Sequence, residues 1–403
     1  MRISDFILIS KRWWNIIVIR KGFVKMRFER ILFFIVLLLF SCSDGKESSV
    51  DTAVDVIDII QASDNNVSDI SDVYEPVDTN DTGDSVISDY TEDIVAYDSG
   101  EITDTGPVNM LNIGLIMQLE NRDILNSRTL FDNYVTKIDD FAKLFEEYGA
   151  RVSFEAKEIT EASVKYGSNI LNNLIERGHS VNIHADSGTT YGMTFSDFVQ
   201  ELRDKKEYME KLSVEPLGVS GICSTLDWVA ASFNVGFKYI TSITAFCLKS
   251  LPLEEQPDFV KNCLAPFDCQ QAFPFETGTK LFLWRAKLGS DWRIDDAEGL
   301  MVLMPSFSRL ACLDEEFKNP NKNIINCVFD NYDIERSLDI IDDSLNRFDK
   351  EKVNVILFIW SFGAEPESLL FEKWLGEIDY YVKKQKIRWR NTDEIFNEFA
   401  GQK

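Results

Sequence analysis

Beyond residue 109, apolar and polar positions follow two rhythms in turn. LNIGLIMQL (111–119) is a short apolar run, which predicts a buried strand. TLFDNYVTKIDDFAKLFEEYG (129–149) places apolar residues at helical spacing and ends at Gly149, a residue suited to closing a helix. The alternation continues. Strands are predicted at RVSFEA (151–156), HSVNIHA (179–185), PLGVSGI (216–222) and FKYITSI (237–243). Helices are predicted at VKYGSNILNNLIERG (164–178), FSDFVQELRDKKEYMEKL (195–212) and TLDWVAASFNVG (225–236).

Residues 250–330 are irregular and loop-rich, with strand patterns only at KLFLWRA (280–286) and GLMVLMP (299–305). Regularity then returns. DIERSLDIIDDSLNRFDK (333–350) reads as a helix, VNVILFIWSF (353–362) as a buried strand and ESLLFEKWLGEIDYYVKKQ (367–385) as a helix. IRWRN (387–391) and TDEIFNEFAG (392–401) close the chain as a strand and a helix. Strands alternating with helices imply an α/β fold with a parallel sheet, and their number within 108–403 suggests a (β/α) barrel, complete or incomplete.

The first 107 residues follow neither rhythm. Arg27 and Arg30 precede an unbroken apolar run, Ile31 to Phe40, that ends in Leu39-Phe40-Ser41-Cys42. The run is shorter than the ~20 residues of a membrane-spanning helix and reads as a signal-peptide core. The Leu-Phe-Ser-Cys box resembles that of bacterial lipoproteins, which implies lipidation at Cys42 and anchoring to a membrane, with Ser43 favouring the outer membrane of the cell envelope. Residues 1–42 form this signal region, with translation expected to begin at Met26. Residues 43–107 carry 18 acidic residues and a single lysine, too charged to repay the entropy of ordering, and read as a disordered tether. The net charge of −25 argues against nucleic acid as a partner, since phosphate binding needs a basic face.

Six cysteines remain: Cys223, Cys247, Cys263, Cys269, Cys312 and Cys327. An even number in an exported domain suggests disulfides. Nearness along the chain favours Cys263–Cys269 and Cys312–Cys327 and leaves Cys223–Cys247, although sequence alone does not fix the pairing.

In a (β/α) barrel the site lies at the C-terminal ends of the strands. Glu120 follows the first strand and Glu155 ends the second. His184 ends the third, with Asp186 two residues on. Carboxylates with an imidazole suit a divalent metal, with Glu120 and His184 as ligands and Asp186 and Glu155 as catalytic groups. Two carboxylates alone would suit glycoside chemistry. Each also has a plain structural role open to it, as a turn cap or a hydrogen-bonded core residue. His179, after Gly178, reads as a fold feature. Trp228, Trp284, Trp292 and Trp360 are candidates for stacking on sugar rings or for the core.

LIERGHSVNIHADS (174–187) resembles the polysaccharide deacetylases of carbohydrate esterase family 4, in which a helix ends in Gly-His and the next strand ends in a metal-binding histidine. The resemblance extends over most of 109–403 and includes Leu119-Glu120, GVSGICSTLDWVAASFNVGFKYI and IRWRNTDEIFNEF. It implies a distorted seven- or eight-stranded barrel, a carbohydrate substrate and a divalent metal such as zinc. The family pairs two adjacent aspartates after strand one, where this chain has Leu119 and Glu120. Its second metal histidine falls at Gly188, its strand-four arginine has no match in GVSGICS, and no histidine stands at FIWSFG. The resemblance therefore implies weak or absent zinc, slow or absent deacetylation, and a choice between a rebuilt hydrolase and a non-catalytic glycan-binding scaffold.

Overall fold

The computed structural model describes residues 110–270, 281–320, 322–363 and 368–402. The signal region with Cys42 and the acidic stretch 43–107 lie outside the described residues.

The first half alternates as its patterning demands: β1 (Leu111–Leu119), α1 (Arg128–Glu147), β2 (Val152–Ala156), α2 (Glu158–Tyr166), α3 (Ile170–Glu176), β3 (Ser180–His184), α4 (Phe195–Glu210), β4 (Gly218–Ser220), α5 (Trp228–Val235) and β5 (Tyr239–Ile240). After the short helix α6 (Asp258–Lys261) come β6 (Trp284–Ala286), β7 (Met301–Leu303), α7 (Leu313–Lys318), α8 (Asn331–Asn346), β8 (Val355–Phe362), α9 (Ser368–Lys383), β9 (Ile387–Trp389) and α10 (Thr392–Gly401). The single helix expected over 164–178 is in fact two. The first begins at Glu158, the chain turns at Gly167, and a second starts after Asn169.

Among the described residues, nine strands form one sheet in the order β6-β7-β5-β4-β3-β2-β1-β8, with β9 also on β1. Every pairing is parallel except that of β6 with β7. The antiparallel β6 departs from the all-parallel sheet that the alternation implies, and no helix separates it from β7. One edge of β1 is shared, by β9 along Leu111–Ile113 and by β2 along Leu115–Leu119. The ladder does not close. Single bridges at Phe282–Asn354 and Arg309–Ile359 span the seam, giving an incomplete barrel.

Strand parity decides what faces the barrel. Odd residues of β1 (Leu115, Met117 and Leu119) are buried in the larger apolar cluster, shared with Phe131, Ile138 and Phe145 of α1. Ile116, of even parity, packs in a separate cluster with Tyr239, Val302, Leu357 and Ile395. The next even positions, Gln118 and Glu120, follow the same face toward the strand ends.

Three disulfides join Cys223–Cys247, Cys263–Cys269 and Cys312–Cys327. The first ties the segment after β4 to the 3-10 turn Ala245–Ser250, and the last encloses α7.

Candidate functional site

The residues that end β1, β2 and β3 meet at the C-terminal mouth of the barrel. His184 is 6% exposed, and its Nε2 lies 2.7 Å from Glu120 Oε1 and 3.0 Å from Asp186 Oδ1. These three side chains offer ligand atoms all within 4.8 Å of one another. On the other side of the ring, Nδ1 is 2.8 Å from Ser220 Oγ at the end of β4. The Ser220 hydroxyl donates to Glu155 Oε2 at 2.6 Å. Its proton is thereby committed, so its lone pairs face Nδ1, and the ring's Nδ1 carries hydrogen. The Gln118 amide nitrogen stands 3.4 Å from Nδ1 and from Glu155 Oε2, outside the range of a strong hydrogen bond, and Ser220 dominates.

Nε2 then faces two carboxylate oxygens. That arrangement demands a positive charge at the nitrogen, from a second ring proton or from a bound cation. With a proton there, burial works against the charged ring, yet hydrogen bonds to Asp186, Glu120 and Glu155 outweigh it and raise the pKa well above the usual histidine value. Burial likewise opposes ionisation of Asp186 and Glu120, but His184 and Lys157 hold both carboxyls below their ordinary values. Lys157 follows β2 directly. Its ammonium lies 2.5 Å from Asp186 Oδ2 and 3.8 Å from Glu120 Oε2, balancing the cluster from one side.

Glu155 is placed differently from its neighbours. It is 2% exposed and accepts hydrogen bonds from Thr241, from Ser242 at 3.3 Å and from Ser220. Its carboxylate lies beneath the histidine and is absent from the cavity wall. The cavity, about 440 Å³, opens above the cluster and is lined by Glu120, His184, Asp186, Gln118, Arg309 and Phe267 among others. A second recess of about 690 Å³ adjoins it past Lys157 and shares His184 and Asp186.

Two departures from the deacetylase pattern have visible causes. Leu119 has odd parity and is fully buried in the core, so no side chain at that position reaches the mouth. Gly188 has φ +87, and a Cβ there would meet Phe198 at 2.8 Å and Ser224 at 3.1 Å. A histidine at that position would point into packed α4 instead of the site. His179 is structural: its Nδ1 accepts the Val152 amide at 3.0 Å, and Nε2 lies 2.8 Å from Glu146. The tryptophans are corrected as sugar platforms, because Trp228, Trp284 and Trp292 are fully buried and Trp360 is 2% exposed. Gln118, Lys157, Ser220, Thr241 and Ser242 escaped sequence reasoning. The inward parity of β1 would have flagged Gln118, and Lys157 stands one residue past β2.

Glu120, His184 and Asp186 supply one nitrogen and two oxygens, a donor set suited to a divalent cation, and Ser220 with Glu155 orients the imidazole as outer partners of metal-binding histidines do. Gly221 is part of the cradle. It has φ +66, and a Cβ would fall 2.8 Å from Asp186 N, 3.0 Å from His184 Cε1 and 3.1 Å from Asp186 Oδ1. Gly221→Ala is expected to cost about 1–3 kcal/mol of stability and to lower zinc affinity by displacing Asp186. Thermal unfolding and zinc titration would check it, and wild-type values in both would contradict this geometry.

No protein-family model matches the chain, and neither does any curated protein. Solved structures do. The chain is similar to a 4-alpha-glucanotransferase from Thermococcus litoralis, with 14% identity and a TM-score of 0.41, over 72% of this chain and 39% of that one. It thus spans well under half the length of that enzyme. It is also similar to PuuE allantoinase, with 12% identity and a TM-score of 0.46, over 78% of this chain and 98% of the other. A third likeness is to a putative polysaccharide deacetylase from Mycobacterium smegmatis, with 9% identity and a TM-score of 0.44, over 73% of this chain and 91% of that one. These are likenesses of fold alone.

Proposed function

We propose that this is a lipid-anchored protein of the cell envelope, in the outer membrane, whose barrel binds carbohydrate through a cation-bearing site and does not release acetyl groups at an enzyme's rate. The observation that carries the reading is His184, with Nδ1 committed to Ser220 and Nε2 held between two carboxylates. Glu120, His184 and Asp186 are the ligands. A divalent cation there supplies Lewis-acid polarisation of a bound oxygen. Lys157 holds the two carboxylates in place, and Glu155 orients the imidazole through Ser220.

The resemblance argues against ordinary deacetylation, because Leu119 and Gly188 stand where the family has its base and its second metal histidine. Among the described residues, Glu120, His184 and Asp186 are the carboxylates and imidazole in the wall of this cavity, while Glu158 and Glu161 line the adjoining recess beside Lys157. Glycoside chemistry fares no better. Glu120 and Asp186 converge on one histidine nitrogen, which stands where a scissile bond would have to lie between them. The family resemblance of 174–187 and the polar walls of the mouth support carbohydrate as the ligand class.

Purified protein should bind zinc by isothermal titration and release little acetate from N-acetylglucosamine oligomers. Failure to bind any of zinc, manganese or magnesium would remove the cation site, and robust acetate release would refute a binding role. Anchoring rests on the Leu39-Phe40-Ser41-Cys42 box. Mass spectrometry of the mature N-terminus should find a lipidated Cys42, and an unmodified Cys42 or another first residue would overturn it.

A further inference from the structure

We infer that Phe267 is the platform on which a sugar ring stacks at the mouth of the site, an assignment that rests on the carbohydrate reading above. The ring is 63% exposed and belongs to the wall of the same cavity as Glu120, His184 and Asp186. An isolated exposed phenylalanine needs no explanation. This one differs in how firmly its backbone is held.

Phe267 lies in the loop closed by the Cys263–Cys269 disulfide. Pro266 opens a 3-10 turn, Pro266–Cys269, and fixes one backbone angle beside the ring. The Asp268 carboxylate accepts the backbone N–H groups of Leu264 and Ala265, each at 2.9 Å. The Asn323 side chain then clamps the loop from outside. Its Nδ2 donates to Phe267 O at 2.6 Å, and its Oδ1 accepts Gln270 N–H at 3.2 Å. A disulfide, a proline and four hydrogen bonds thus immobilise a backbone whose side chain they leave bare. Binding to a surface already ordered costs little further entropy, which is the condition a stacking platform needs.

The rest of the wall completes an amphipathic slot. Ala265 and Pro266 extend the apolar side, while Gln118, Gln270, Arg309 and Ser361 supply polar groups. A pyranose has matching chemistry: an apolar face of C–H bonds for the ring and hydroxyl edges for the amides and the guanidinium. The four tryptophans are buried, so Phe267 is the exposed aromatic ring in this wall among the described residues.

The test uses the full-length protein with N-acetylglucosamine, xylose and glucose oligomers as probes, measured by isothermal titration beside zinc binding and thermal unfolding. Phe267→Ala is expected to weaken the best-bound oligomer about tenfold, Phe267→Trp to retain or strengthen it, and both to leave zinc affinity and melting temperature at wild-type values. Wild-type glycan affinity in Phe267→Ala overturns the platform and leaves the carbohydrate reading standing. If the unaltered protein binds none of the oligomers, the carbohydrate reading falls and the platform falls with it.

Discussion

Replacing His184 with alanine is expected to abolish detectable zinc binding, a loss of at least about 100-fold, because it removes the sole nitrogen donor of a three-ligand set. What remains is Glu120 and Asp186 with Lys157 beside them. Two carboxylates already paired with an ammonium have little negative charge to offer a second cation. The variant also frees Ser220, which keeps its bond to Glu155, so the damage stays local and the fold should survive. Isothermal titration of wild type and His184→Ala, with circular dichroism as a folding control, decides the matter. A folded variant that binds zinc as tightly as the wild type would place the cation elsewhere and sink the assignment of the cluster.

Much of this architecture is legible in the sequence because burial writes itself into composition. β1 appears at its full length, since both of its faces are covered and LNIGLIMQL has nothing to offer solvent. α10 likewise appears whole, because Asn391 and Glu394 form a capping box at its start. The weak points are physical too. β4 and β5 have three and two residues, too few for any period to register. Their inward residues, Ser220 and the nearby Thr241, therefore carry no pattern, although they hold Glu155 and through it the histidine. The break between α2 and α3 depends on a single left-handed residue at Gly167, which a helical pattern can read through.

The site divides in the same way. Glu120, Glu155, His184 and Asp186 announce themselves by following strands, and the structure brings all four to one end of the sheet. Their differing roles are not written in spacing. Glu155 looks as available as Glu120 until the sheet is built and Ser220, Thr241 and Ser242 close over it. The pattern of a known family points to Leu119 and Gly188, and both positions turn away from the mouth. Parity sends Leu119 into the core, and Phe198 occupies the space beside Gly188. The buried tryptophans mislead in the opposite sense, since nothing in their sequence context distinguishes a platform from a core residue.

Glu155 carries the second large expectation. Its carboxylate is buried at 2% exposure and collects hydroxyl donors from Ser220, Thr241 and Ser242. Glu155→Ala removes the shared acceptor, strands those hydroxyls in a space water reaches poorly, and opens a cavity beneath His184. The expected cost is about 3–5 kcal/mol, the sum of unsatisfied polar groups and lost packing. Glu155→Gln keeps the volume and one carbonyl acceptor, so its cost should be about 1–2 kcal/mol. Its effect on the cation should be larger in proportion. With a neutral amide in place of the carboxylate, Ser220 is no longer committed to donate away from the ring, and the histidine loses the partner that fixes its tautomer. Zinc affinity in Glu155→Gln should therefore fall about 10- to 100-fold while the protein stays folded. Chemical denaturation and zinc titration of both variants separate the two effects. A Glu155→Gln protein with wild-type zinc affinity would show that the Ser220 relay does not orient His184, and a Glu155→Ala protein of wild-type stability would show that the buried carboxylate is not what those hydroxyls depend on.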